Sequence, residues 1–296
     1  MLRSLLSILL LAQLNVATAP STNPPTPWFN MSDMIMASAI PMLKPNAEKP
    51  QIGAKSALLV DAETGMPLLE KSSQEPLPMA SLTKIMTALL IVESHDLNEV
   101  VTVKTAYPGE QELGVRMWLV KNETITVESL LTGLLVRSAG DAAMALAEFH
   151  SGSPQAFIQE MNDRAKSLGL KNTQFKNTIG LDEPGHYASA YDLAILTRHA
   201  LKNPDFRRLV QIKQATVTST NGALSHTFQT TNQLLDSLTL DIRGVKTGTT
   251  DAAGNCVINL AHLKNNKEIL VILLNSPDRF GESERLIQWA QNNVIW

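Results

Sequence analysis

The chain has 296 residues, 44% of them hydrophobic and 18% charged, with 25 Lys+Arg against 28 Asp+Glu. That length suits one large or two small globular domains, and a formal charge of −3 excludes a basic surface broad enough to dominate nucleic-acid binding. Fifteen Gly and fifteen Pro exclude fibrous and largely disordered classes, and the single cysteine, Cys256, excludes an internal disulfide framework or a multi-cysteine metal site.

Arg3, the apolar run over residues 5–11 and the small-residue triplet Ala17-Thr18-Ala19 form the pattern of a secretory signal peptide over residues 1–19. Its apolar part is too short for a membrane span. Pro20, directly after the triplet, suits few protease sites, so cleavage is expected slightly earlier or to be inefficient. Export is the expectation. Residues 20–53 carry Pro24, Pro25, Pro27, Pro41, Pro45 and Pro50, a density that breaks helices and reads as a linker. Within it, residues 31–43 are apolar enough to pack on a neighbouring domain.

Residues 54–61 and 66–71 flank Ala62-Glu63-Thr64-Gly65 and read as a β-hairpin. Residues 81–94, mostly apolar without Gly or Pro, predict a buried helix. Two further helices are expected over 127–150, broken near 137–141, and over 154–168, ending at Gly169. Another runs over 191–202 and stops before Pro204. Strands follow over 241–249, 255–263 and 268–275, with turns at 251–254 and 264–267, and an amphipathic helix closes the chain over 283–294. Strands at both ends with helices between them predict an α+β fold over residues 54–296. Its single antiparallel sheet is built from both chain ends, with an inserted helical subdomain and a cleft between two lobes.

Ser81 is the only serine with a lysine three positions later, Lys84. On a helix the two side chains share one face. At a helix start the Ser81 N–H is an unpaired donor at the positive end of the dipole, suited to an oxyanion. The hydroxyl needs a base, and Lys84 can serve if burial lowers it from about 10.4 toward about 7–8. A bland reading, Ser as N-cap and Lys as a surface residue, covers this pair alone, because Ser-x-x-Lys arises by chance about once in a chain of this size. A second motif shifts the balance. Lys246-Thr247-Gly248, followed by Thr249, lies on a predicted strand and offers a cation for a carboxylate, a hydroxyl donor, and a glycine that permits close backbone approach.

With these residues together, the sequence resembles the low-molecular-mass penicillin-binding proteins, the serine D-Ala-D-Ala carboxypeptidases. The resemblance runs from about Ala54 to Asn275. It includes residues 57–65 and 79–87, Asn177-Thr178-Ile179-Gly180-Leu181, Ser189-Ala190-Tyr191-Asp192 and Thr231-Asn232-Gln233-Leu234-Leu235. It implies a β-lactamase/transpeptidase-like fold, with Ser81 as the acylated nucleophile, Lys84 as its base and Ser138 as a proton relay. Lys246 and Thr247 would hold the substrate's terminal carboxylate, and the N–H groups of Ser81 and Thr249 would form the oxyanion hole. The implied partners are peptidoglycan stem peptides ending in D-Ala-D-Ala and the β-lactams that mimic them. No cofactor or metal is implied, and the implied location is the periplasm or cell envelope.

One position departs from the pattern. The family's middle motif is Ser-x-Asn, whereas this chain reads Ser138-Ala139-Gly140-Asp141, so glycine stands at the asparagine position. The lost amide would cost about 1–3 kcal/mol of hydrogen bonding if buried. Asp141, pointing elsewhere on a helix, takes no part in this reading. Rival readings are a DD-endopeptidase cutting crosslinks, a β-lactamase and a catalytically weak wall-binding homologue. Residues 171–177 hold no glutamate of the kind that activates water in class A β-lactamases. A C-terminal amphipathic anchor of the kind many carboxypeptidases carry is not expected on this reading. The six histidines show no metal-ligand spacing, against a zinc peptidase.

Overall fold

The hairpin at the start of the domain is closed by the side chain of Asp61, which accepts hydrogen bonds from the Thr64 N–H and hydroxyl, both at 2.7 Å, while Gly65 supplies the positive φ the turn needs. In the computed structural model residues 40–105 and 114–296 are described, and Ile40–Trp296 form one compact unit. The expected signal peptide and residues 20–39 of the expected linker lie outside the described residues.

In chain order the strands are β1 (Met42–Leu43), β2 (Ser56–Asp61), β3 (Pro67–Lys71), β4 (Val100–Thr102), β5 (Thr124–Thr126), β6 (Gln214–Thr218), β7 (Ser225–Gln229), β8 (Asp241–Thr250), β9 (Gly254–His262), β10 (Glu268–Ser276) and β11 (Val294–Ile295). The helices are α1 (Lys84–Ser94), α2 (Val127–Thr132), α3 (Gly140–Ser151), α4 (Pro154–Ser167), α5 (Ala190–Ala200), α6 (Pro204–Leu209) and α7 (Arg279–Asn293). The main sheet is antiparallel in the order β3-β2-β10-β9-β8, so strands from both chain ends pair at β2 and β10, as expected.

The sheet is covered on both faces, which is why its strands read as continuous apolar runs. Leu58, Val60, Ile258, Leu260 and Ile272 point into the core shared with the helices. Their neighbours Leu59, Val257, Val271 and Leu273 point to a second core under α7, with Leu286, Ile287 and Ala290. α1 is central, and every residue from Lys84 to Ile91 is buried, so it has no polar face.

Residues 40–53, the described end of the segment read as a linker, are joined to this unit. β1 pairs with β11, the Lys44 N–H donates to Asn293 O at 2.8 Å, and the Trp289 indole donates to Glu48 O at 2.6 Å. Prolines leave this stretch extended, and its free backbone groups find partners on the C-terminal helix. The reading from sequence passed over the hairpins β4–β5 and β6–β7 and the one-turn-longer start of α7, and it did not separate α6 from its surroundings.

Candidate active site

Pro76 and Pro78 forbid an earlier helix start, so α1 is entered through a short 3-10 turn, Ala80–Thr83. Ala80, Leu82 and Thr83 of this turn are buried, while Ser81 stays half-exposed. One turn on, Lys84 is 2% exposed, with its Nζ 3.0 Å from Ser81 Oγ and 2.6 Å from Ile179 O. Burial lowers the Lys84 ammonium to about 7, against the charge of Asp141, which pulls it upward. The Ile179 carbonyl is aimed by Asn177, whose Oδ1 accepts the N–H groups of Ile179, Gly180 and Leu181 at 3.3, 2.7 and 3.2 Å.

The opposite wall is β8. Lys246 is 1% exposed and donates to Thr247 O at 2.9 Å; the Thr247 hydroxyl lies 2.5 Å from that of Thr231. Gly248 passes so close to the turn that a Cβ there would lie 2.8 Å from Ser81 N and 2.9 Å from the Ala80 Cβ. Glycine is required at this point because the strand backbone itself touches the Ala80–Ser81 peptide. Arg279, at the start of α7, donates to Gly248 O at 2.9 Å and to Thr249 Oγ1 at 2.7 Å. Burial, with the charges of Lys84 and Arg279, holds Lys246 well below the ordinary lysine range. None of these three cations forms an ion pair among the described residues.

Ser138 sits at the break between the π-helical turn Gly133–Arg137 and α3, in left-handed backbone with φ of 69° and 6% exposed. Its hydroxyl bonds neither Ser81 nor Lys84. Its segment reaches the β8 wall through Val136 O, which accepts the Thr231 N–H at 3.3 Å. The Gly140 N–H donates to Val115 O at 2.7 Å, and Lys84 Nζ has Ser81 Oγ and Ile179 O as its hydrogen-bond partners among the described residues. Asp141, 1% exposed, accepts N–H groups of Met117, Trp118 and Leu119 at 3.1, 2.8 and 3.0 Å, so it organises the neighbouring segment rather than touching Lys84.

Ser81, Lys84 and Gly248 are thus in direct contact, and Thr247 is linked to the Ser138 segment through Thr231. Sequence reasoning gave no part to Thr231, the Ile179 carbonyl or Arg279. Thr231 and Ile179 lay inside matched motifs, whereas nothing near Arg279 marked it.

A serine–lysine pair at a helix start, facing a Lys-Thr-Gly strand across a mixed sheet-and-helix fold, defines a penicillin-binding or transpeptidase-type serine peptidase. Among solved structures, the Streptomyces K15 DD-transpeptidase superposes with a TM-score of 0.75 at 29% identity, over 82% of this chain and 98% of that one. Penicillin-binding protein 6B from Escherichia coli does so with a TM-score of 0.77 at 32% identity, over 84% of this chain and 81% of that one. Residues 44–277 match the peptidase S11 model, D-alanyl-D-alanine carboxypeptidase, and the chain belongs to that family.

Its relatives include D-alanyl-D-alanine carboxypeptidase DacF of Bacillus subtilis, 39% identical over 80% of this chain, and DacD of E. coli, 33% identical over 90% of it. The chain spans 62% of the length of DacF and 69% of that of DacD. A D-alanyl-D-alanine endopeptidase of Pseudomonas aeruginosa is 28% identical over 99% of this chain and 90% of its own.

Proposed function

We propose that the protein removes the terminal D-Ala from peptidoglycan stem peptides ending in D-Ala-D-Ala, through an acyl-enzyme on Ser81. The observation that carries this reading is the 3.0 Å contact between Ser81 Oγ and a buried Lys84 whose ammonium is brought to about 7. At neutral pH a large fraction of that amine is free to take the Ser81 proton, while the Ile179 carbonyl keeps the nitrogen in place.

Ser81 Oγ then attacks the carbonyl carbon of the penultimate D-Ala, and the oxyanion formed is met by the N–H groups of Ser81 and Thr249. The C–N bond breaks as the departing D-Ala nitrogen receives the proton from Lys84. A Ser138 relay would need its hydroxyl, which bonds neither Ser81 nor Lys84 in the free enzyme, to turn toward them when substrate binds. Water, deprotonated by the same amine, attacks the ester carbonyl and restores the Ser81 hydroxyl. Lys246, buried and held well below the ordinary lysine range, and the half-buried Arg279, neither in an ion pair among the described residues, favour a substrate that brings its own carboxylate, as a free C-terminal D-Ala does. A β-lactam carboxylate meets the same demand.

The reading places the enzyme outside the cytoplasm, where its substrate is, in keeping with the signal-peptide pattern of residues 1–19. A second reading, a DD-endopeptidase, is favoured by the near full-length match to the Pseudomonas endopeptidase. Digestion of purified uncrosslinked and crosslinked muropeptides separates the two. Release of D-Ala from pentapeptide monomers supports the carboxypeptidase, and loss of crosslinked dimers without free D-Ala supports the endopeptidase. Labelled penicillin is expected on Ser81 by peptide mass spectrometry and absent from Ser81→Ala; an adduct elsewhere overturns the site.

A further inference from the structure

Two segments distant in sequence press on one peptide bond, Ala80–Ser81. Ala80 has a φ of +50°, a conformation a non-glycine residue holds only when its surroundings enforce it. Gly180 and Gly248 press on this peptide from two different segments: a Cβ on Gly180 would lie 2.0 Å from Ala80 O, and one on Gly248 2.8 Å from Ser81 N. The Ala80 carbonyl also accepts a hydrogen bond of 2.8 Å from the Thr83 hydroxyl. Thr83 is fully buried, and its hydroxyl lies 2.7 Å from Nε2 of His186, which is 5% exposed.

Counting protons assigns a direction to this chain. The Lys176 N–H, which can only donate, bonds His186 Nδ1 at 3.0 Å, so Nδ1 carries the lone pair and Nε2 carries the proton. That proton goes to Thr83 Oγ1, and the single hydroxyl proton of Thr83 is left for Ala80 O. The order is Lys176 N–H, His186, Thr83, Ala80 O, each link donating to the next. We infer that Thr83 and His186 are positioning residues that hold the Ala80–Ser81 peptide so that its N–H points at the oxyanion formed on acylation of Ser81.

A hydrogen bond to a peptide carbonyl fixes the peptide plane and, through amide resonance, strengthens the N–H dipole at its other end. The Phe175 ring packs at 70° to the imidazole with centroids 6.1 Å apart, which fixes the ring's orientation. Burial lowers His186 to about 4, with Lys84 acting in the same sense against Glu183 and Asp182, so one ring proton is kept at neutral pH. The inference rests on the reading of Ser81 as nucleophile.

The test measures second-order acylation by a labelled penicillin, the affinity of a boronic acid that forms a tetrahedral adduct with the serine, and thermal unfolding. Thr83→Val keeps the shape and removes the hydroxyl; acylation and boronate affinity are expected to fall together, by about 10–100-fold, in protein that remains folded. Thr83→Ser is expected to recover to within about threefold of wild type. His186→Ala is expected to slow acylation similarly, and the double variant with Thr83→Val to be no slower than Thr83→Val alone, as for two links of one chain.

Additive effects in the double variant, or a folded Thr83→Val acylated within about twofold of wild type, would overturn the inference. Should Thr83→Val not fold, Thr83→Ser and His186→Ala carry the same test: the inference fails if His186→Ala leaves both acylation and boronate affinity within about twofold of wild type. Wild-type protein that is not acylated on Ser81 would instead refute the proposed function.

Discussion

At Lys84 a side chain that would ordinarily snorkel to water is enclosed on a helix buried on all sides, and the loss of hydration moves it into the range of a base at neutral pH. Only the neutral amine can accept the Ser81 proton. Acylation by a β-lactam with no group titrating in the range is therefore expected to fall as pH drops below about 7 and to level off above about 8. A profile flat from pH 5.5 to 8.5 would place the base elsewhere. The negative charge of Asp141 raises Lys84, so Asp141→Asn should move the acid limb to lower pH, read from the same profile. The motif spacing pointed to this lysine; its depressed basicity came from burial that spacing cannot specify.

The Ala80–Thr83 turn works as an element because two glycines from distant segments bear on it. Gly180→Ala should therefore be costly twice: φ of +90° is unfavourable for alanine, and the new Cβ would meet Ala80 O at 2.0 Å. We expect a loss of about 2–5 kcal/mol in urea unfolding, from the strain of about 1–2 kcal/mol and overpacking of about 1–3 kcal/mol, with slower acylation as the Ile179 carbonyl shifts. Gly222→Ala is the control. Its φ is +72° with nothing within 4 Å of a Cβ, so only the backbone strain should appear and the acylation rate should stay unchanged.

Element by element, long apolar helices and the β8–β10 run were legible because burial on all sides leaves unbroken apolar stretches. The β6–β7 hairpin was not read, although Asn221-Gly222 between alternating residues is a hairpin signal; its strands are short and polar on their exposed face. The 3-10 entry to α1 was also missed: Pro76 and Pro78 delay the helix start, but the shape of the turn also answers to the close approach of Gly180 and Gly248.

Across the whole molecule, the two chain ends meet on one sheet and are bound together by Glu282 of α7. This carboxylate, 3% exposed, accepts the Gly53 and Ala54 N–H groups and the Ser276 hydroxyl. Glu282→Ala leaves those donors unpaired. A loss of about 1–3 kcal/mol is expected, as a lower urea midpoint at unchanged slope, with acylation by penicillin unaffected well below the transition. A stability equal to wild type would show that this carboxylate contributes nothing to the fold.

The sequence by itself determined the α+β class and singled out Ser81, Lys84 and Lys246-Thr247-Gly248 as candidates, because each depends on residue type at short spacing. Only the tertiary structure decided that Lys84 loses its water, that Ile179 O aims it, and that Arg279, Thr231 and His186 bear on the site. Those contacts join residues from about 15 to more than 100 positions apart. They depend on which surfaces close over one another, and short spacing holds no record of that.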